Sequence, residues 1–218
     1  MSGNDGMLHA KRDLFRKLQG SIRSKAVLEA MESVPRERYV GENSRQMAYQ
    51  NIPLPIGEGQ TISQPLIVAL MTEALELRGT ERVLEIGAGS GYQAAVLSRL
   101  LPRGSLVTVE RLSSLAEDAR LVLGELDCNN VIVELAGPTL GAPEHGPFNA
   151  IIVSAASPQI PDALVAQLVV GGRMIIPVGR LEQQELMQVL RTDEGVSLRW
   201  LGPCRFVPLI GEDAFPEY

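Results

Sequence analysis

The 218-residue chain is 45% apolar and carries 20 basic against 26 acidic side chains, a net charge of −6. Such a chain has material for one well-buried core, but it lacks the basic face that nucleic acids and anionic membranes require, so neither is an expected partner. Three features predict a cytoplasmic protein with free thiols: no run nears the ~20 apolar residues of a membrane span, Met1-Ser2-Gly3-Asn4-Asp5-Gly6 holds no secretory apolar core, and Cys128 and Cys204 share no metal-ligand spacing.

Apolar residues recur at helical spacing between Leu8 and Val34, first Leu14, Leu18 and Ile22, then Val27, Ala30, Met31 and Val34. This predicts two helices, with Pro35 ending the second. Residues 36–63 read as irregular, interrupted by Pro53, Pro55, Gly57 and Gly59, and Arg36 and Arg38 read as a solvated face. An amphipathic helix is expected over 64–77. Beyond it strands are predicted at 82–86, 105–110, 131–134, 148–153, 173–177, 185–191 and 196–201, and helices at 91–101, 112–125 and 160–168. Strand–helix alternation implies a parallel sheet covered on both faces, and Thr192-Asp193-Glu194-Gly195 joins the last two strands as an antiparallel hairpin. The expected fold is α/β: a doubly wound, mostly parallel Rossmann-like sheet with an antiparallel C-terminal edge. Residues 1–78 form a helical layer and loop that do not fold alone, and residues 79–218 form the α/β core. His9, in a mobile N-terminus, and His145, in a loop, read as surface residues.

The segment Val83-Leu84-Glu85-Ile86-Gly87-Ala88-Gly89-Ser90-Gly91-Tyr92 carries most of the chemistry. A strand turning sharply into a helix offers free N–H groups and a positive helix end to a ligand, and alternate glycines permit the tight turn and a close approach. The G-x-G-x-G spacing and the carboxylate before it depart from a dinucleotide fingerprint. Glu85 would repel a pyrophosphate and attract an ammonium group, which favours S-adenosylmethionine over NAD. The next strand ends in Glu110, 23 positions after Gly87, at a distance suited to accepting two ribose hydroxyls. Upstream, Gly59-Gln60-Thr61-Ile62-Ser63-Gln64-Pro65 delivers a hydroxyl to the start of a helix. Ser63 there is either an N-cap, with Pro65 in the first turn (Thr61 with Gln64 offers a capping box as another local reading), or a group presented to a ligand.

Taken together, PLPIGEGQTISQP (53–65), VLEIGAGSGYQAA (83–95), VTVERL (107–112), FNAIIVSAA (148–156), GGRMIIPVG (171–179) and RFVPLIG (205–211) resemble the protein-L-isoaspartate O-methyltransferases over about residues 25–211. The resemblance implies methyl transfer from S-adenosylmethionine to the free carboxylate of L-isoaspartyl residues in damaged proteins, a repair reaction, by a monomer that needs no metal. Ser63 matches the family's active-site serine. Thr61, Ile62, Glu85, Gly87, Ala88, Gly89, Ser90, Gly91, Glu110 and Arg111 fall at donor-site positions, and Val207, Pro208 and Leu209 at the wall of the peptide site. At the adenine position the family usually carries an acid within Gly-Asp-Gly, where this chain has Ala136-Gly137-Pro138. Gly137 therefore implies weaker donor binding unless Glu134 or a backbone group substitutes. Two alternatives stay open on the sequence: a methyltransferase of the same fold acting on another substrate, and a non-catalytic descendant that binds protein chains.

Overall fold

The computed structural model describes residues 3–211 and 213–216, so Met1 and Ser2 of the polar start lie outside it. Helices α1 (Gly3–Leu18) and α2 (Lys25–Ser33) lead the chain. Ser24 Oγ accepts the Val27 amide at 3.3 Å and caps α2. His9 belongs to α1 and stands 3.3 Å from Asp13, one turn on, so the expected mobile start is helical.

Residues 36–63 are more ordered than expected. Two short 3₁₀ turns, Arg36–Tyr39 and Glu42–Met47, precede an antiparallel hairpin of β1 (Leu54–Gly57) and β2 (Gln60–Ile62). The glycines that read as breakers make its turn: Gly57, Glu58 and Gly59 have φ of 98°, 52° and 69°, and glycine reaches that region without a Cβ penalty. Arg36 is not on a solvated face. It is 1% exposed, because it points inward beneath the hairpin and binds backbone carbonyls there.

The remaining elements are α3 (Pro65–Ala74), β3 (Arg82–Ile86), α4 (Tyr92–Leu100), β4 (Ser105–Glu110), α5 (Ser113–Glu125), β5 (Val131–Leu135), β6 (Phe148–Val153), α6 (Asp162–Ala166), β7 (Leu168–Arg180), β8 (Gln183–Thr192) and β9 (Gly195–Cys204). Helix α3 stops short of residue 77, and Glu76 just beyond it takes φ of 50°. Strand β7 starts at Leu168 rather than 173, and α6 is correspondingly shorter than 160–168; Gly171 and Gly172 hide the alternation that would have marked the strand.

The strand order is β5-β4-β3-β6-β7-β8-β9, with β3 to β7 parallel and β8 and β9 antiparallel. Residues alternate between the faces. Val83, Leu106, Ala150, Ile152 and Ile175 pack with Leu14, Leu18, Met31, Val68 and Leu97 from the helices on one side. Leu84, Ile86, Val107, Ile151, Val153 and Met174 pack with Leu164 on the other. Strand order reverses between β4 and β6, on either side of β3. The crevice at that reversal, beyond the carboxyl ends of the strands, is where such sheets bind ligands.

Candidate active site

A cavity of about 350 Å³ opens at this point. One wall is the loop from β3 to α4, another the end of β4, a third the segment 136–141 after β5, a fourth residues 60–63, and the last 207–211. Thr61, Ile62, Ser63, Gly87, Ala88, Gly89, Ser90, Glu110, Arg111, Gly137, Val207, Pro208 and Leu209 all face it, although they span nearly 150 positions of sequence.

The loop is held by backbone bonds. Gly87 N and Ala88 N donate to Val109 O at 2.8 and 3.2 Å, and Gly91 N donates to Ala88 O at 2.8 Å. The glycines serve different ends. Gly89 (φ 51°) lets the β1–β2 hairpin approach, since a Cβ would stand 3.3 Å from Ile56 Cδ1. Gly91 (φ 83°) faces away from the cavity, and a Cβ there would meet Ala119 Cβ at 3.3 Å. Its freedom serves helix packing rather than ligand approach.

The two acids separate. Glu110, 7% exposed, faces the cavity, with Oε2 accepting the Gly89 amide at 2.9 Å and Oε1 accepting the Leu112 amide at 3.0 Å. Each carboxylate oxygen keeps acceptor capacity for a further donor. Glu85 does not face the cavity, contrary to its expected place at the ammonium end of a donor. Strand alternation turns it, with Val83, onto the helix-covered face of the sheet, where it is wholly buried. Neither of its carboxylate oxygens has a hydrogen-bond partner among the described residues, nor does the hydroxyl of its register neighbour Thr108. Burial above all raises the Glu85 carboxyl to about 8; the nearby Thr108 hydroxyl offsets part of that rise and the charge of Glu110 adds a smaller push, so the group is neutral at moderate pH.

Ser63 is not a cap. Gln64 holds that position without a side-chain hydrogen bond, and the Thr61–Gln64 capping box does not form. The Ser63 hydroxyl has no hydrogen-bond partner among the described residues and lines the cavity. The C-terminal segment, which lines the same cavity, is fastened just beyond the end of β6: Ala156 N donates to Val207 O at 2.8 Å and Leu209 N to Ala156 O at 2.7 Å.

The segment after β5 is bare. Ala136, Gly137, Pro138 and Thr139 are exposed, and a Cβ at Gly137 would meet nothing within 4 Å. Glu134 does not replace the missing acid, because it points away to His145 Nε2 at 2.8 Å. That contact leaves His145 half-buried rather than a plain surface residue. Asn149 also acquires a role, accepting the Arg82 amide at 2.8 Å between neighbouring strands.

The reading of the sequence passes over several lining residues, among them Tyr92, Gln93, Leu112 and Ser154. Gln93 Nε2 donates to Thr72 Oγ1 at 2.9 Å, which ties α4 to α3 at the cavity floor. Tyr92 and Gln93 directly follow the glycine loop, so their position was the available signal.

A sequence model described as protein-L-isoaspartate(D-aspartate) O-methyltransferase matches residues 9–214 of the chain. The chain belongs to this family. It is 52% identical over 192 residues to a protein-L-isoaspartate O-methyltransferase of Syntrophotalea carbinolica, covering 88% of each chain. It is 49% identical over 211 residues to one of Ignicoccus hospitalis, covering 95% of this chain and 100% of the relative. A solved protein-L-isoaspartate O-methyltransferase superposes with a TM-score of 0.86 at 30% identity, over 94% of this chain and 67% of that one. The matched region contains every wall of the cavity described above.

Proposed function

We propose that this chain transfers the methyl group of S-adenosylmethionine to the free carboxylate of L-isoaspartyl residues in damaged proteins, which opens their repair. The observation that carries the reading is that one cavity joins two kinds of wall: a glycine loop with a fixed acceptor, Glu110, and a second part lined by Ser63 and Val207–Leu209. Family membership over residues 9–214 supports the same reaction.

The residues fit the donor. Glu110, already oriented by two amides, suits a ribose diol, and Gly87, Ala88, Gly89 and Ser90 offer a wall without large side chains. Thr61, Ile62 and Arg111 complete that part of the site, and Gly137 borders the base. When bound, S-adenosylmethionine supplies an electrophilic methyl group on a sulfonium centre. The acceptor is a carboxylate, ionised at neutral pH with a reference pKa of about 3.9, so the chain needs no strong base. Its task is positioning, which can supply several kcal/mol of barrier lowering, roughly 7–11 in well-oriented intramolecular reactions. Ser63 Oγ, free of other partners, donates to one carboxylate oxygen and aims the other. Val207, Pro208 and Leu209 flank the peptide that bears it.

We further read the chain as a cytoplasmic monomer without nucleic-acid, membrane or metal partners, its helical layer (1–78) folding only with the core (79–218). The net charge of −6 argues against nucleic-acid and membrane-surface partners, and among the described residues no helix is long and apolar enough to cross a membrane. Packing of Leu14, Leu18 and Met31 with Val83 and Leu106 in one cluster supports the joint folding of layer and core.

The deciding experiment offers the protein labelled S-adenosylmethionine with an isoaspartyl peptide and its aspartyl twin. Transfer to the first alone is expected. Transfer to both would favour a different substrate, and failure to bind S-adenosylhomocysteine at millimolar concentration would favour the non-catalytic alternative.

A further inference from the structure

We propose that Arg36 is a positioning residue that fixes the Ser63 segment against the start of α4, and so sets where the Ser63 hydroxyl stands; the catalytic part of this proposal rests on the function proposed above. Three elements meet on its guanidinium. Nε donates to Ala48 O at 2.9 Å, at the end of the second 3₁₀ turn. Nη2 donates to Ser63 O at 2.8 Å. The guanidinium carbon lies 4.9 Å from the ring centroid of Tyr92, the first residue of α4, which in turn meets Tyr39 edge-on at 5.4 Å.

Ser63 and Tyr92 both line the cavity, whereas Arg36 stands behind them and does not. The cation thus touches the backbone of one wall and the side chain of another. Ser63 has no regular element of its own: it lies between the last residue of β2 and the cap of α3. Its carbonyl is tied to Arg36 across 27 positions of sequence, and its side chain is otherwise unrestrained.

Stability alone does not account for an arginine here. A buried cation loses hydration, and apolar replacements of similar volume are often neutral or stabilising. Arg36 also keeps one donor, Nη1, buried without a hydrogen-bond partner among the described residues. What arginine supplies is geometry: a rigid planar fork that holds two carbonyls along its edge while its central carbon stays 4.9 Å from an aromatic ring centroid. Lysine keeps the charge but has neither the fork nor the plane.

The test compares Arg36→Lys and Arg36→Met with wild type. Three quantities are measured on folded, full-length protein: hydrogen exchange of amides in 61–66, affinity for S-adenosylhomocysteine by calorimetry, and kcat and KM with an isoaspartyl peptide. In both variants, exchange over 61–66 is expected to quicken at least tenfold while β3 and β6 keep their protection. The kcat is expected to fall roughly 10- to 100-fold, as for misplacement of about an ångström, with cofactor affinity within about threefold of wild type. Unchanged exchange, or an unchanged kcat per folded molecule, overturns the proposal, and an equal loss of cofactor affinity assigns Arg36 to the donor site instead. If wild type methylates neither peptide, the functional reading falls, while the exchange data still decide whether Arg36 holds the segment. Should neither variant fold, the wild-type Arg36 side chain is observed by nitrogen NMR. Separate, slowly exchanging Nη signals uphold the clamp, and one averaged signal overturns it.

Discussion

Glu110 Oε2 accepts the backbone amide of Gly89 at 2.9 Å, so the carboxylate that ends β4 is fixed to the glycine loop that follows β3. Its second oxygen takes the Leu112 amide at the start of α5. The acceptor is therefore aimed before any ligand arrives, with no side-chain freedom left to lose.

That relationship makes Glu110→Gln informative. The amide can replace only one acceptor oxygen and brings an N–H against a backbone N–H. Hydrogen bonds to a charged acceptor contribute about 1.5–3 kcal/mol, so affinity for S-adenosylhomocysteine should fall roughly 10- to 150-fold. Calorimetry checks this, and a change below threefold would remove Glu110 from the ribose role.

Ser63→Ala should leave the fold intact, because the hydroxyl bonds nothing among the described residues and caps no helix. Loss of one orienting hydrogen bond to a carboxylate predicts a drop in kcat/KM of roughly 10- to 150-fold. Steady-state methylation of an isoaspartyl peptide measures it, with the thermal midpoint as the control for folding.

Gly91 and Gly137 should respond oppositely to the same change. Gly91→Ala places a side chain at φ of 83° and its Cβ 3.3 Å from Ala119, which predicts a loss of about 1–3 kcal/mol in urea unfolding. Gly137→Ala enters open space at an unstrained position and should change stability by less than about 0.5 kcal/mol. Gly137→Asp should go further and tighten S-adenosylhomocysteine binding, by up to roughly tenfold, if the bare wall borders the base.

The buried Glu85 predicts a pH dependence of stability. Its folded-state pKa is about 8 against an ordinary value of 4.5. Between those limits the folded chain holds a proton that the unfolded chain has released. Stability is therefore complete below the lower value and declines as pH rises toward the upper one, by up to ~1.4 kcal/mol per pH unit. Glu85→Gln should flatten this slope, and urea midpoints measured across that range would show it. A mutant as pH-dependent as wild type would place the titration elsewhere.

The sheet, the glycine loop and most of the residues that line the cavity are legible in the sequence. Apolar runs such as Ala150–Val153 mark strands buried on both faces, and the glycine loop with Glu110 at the next strand end is a local pattern that needs no partner to be read. Family membership was likewise legible, because its motifs are short and contiguous. Relations between distant residues are set only by folding. Glu85 looked like a ligand because it precedes the loop, yet strand alternation beneath α4 seals it behind the wall. Ser63 read as either a cap or a ligand group, and the cap role falls away because Gln64 takes that position before α3. Arg36 looked solvated, because a charge with no nearby opposite charge in sequence reads as surface. Its partners are the carbonyls of Ala48 and Ser63 and the ring of Tyr92, groups that carry no sequence signature and come together only in the folded chain.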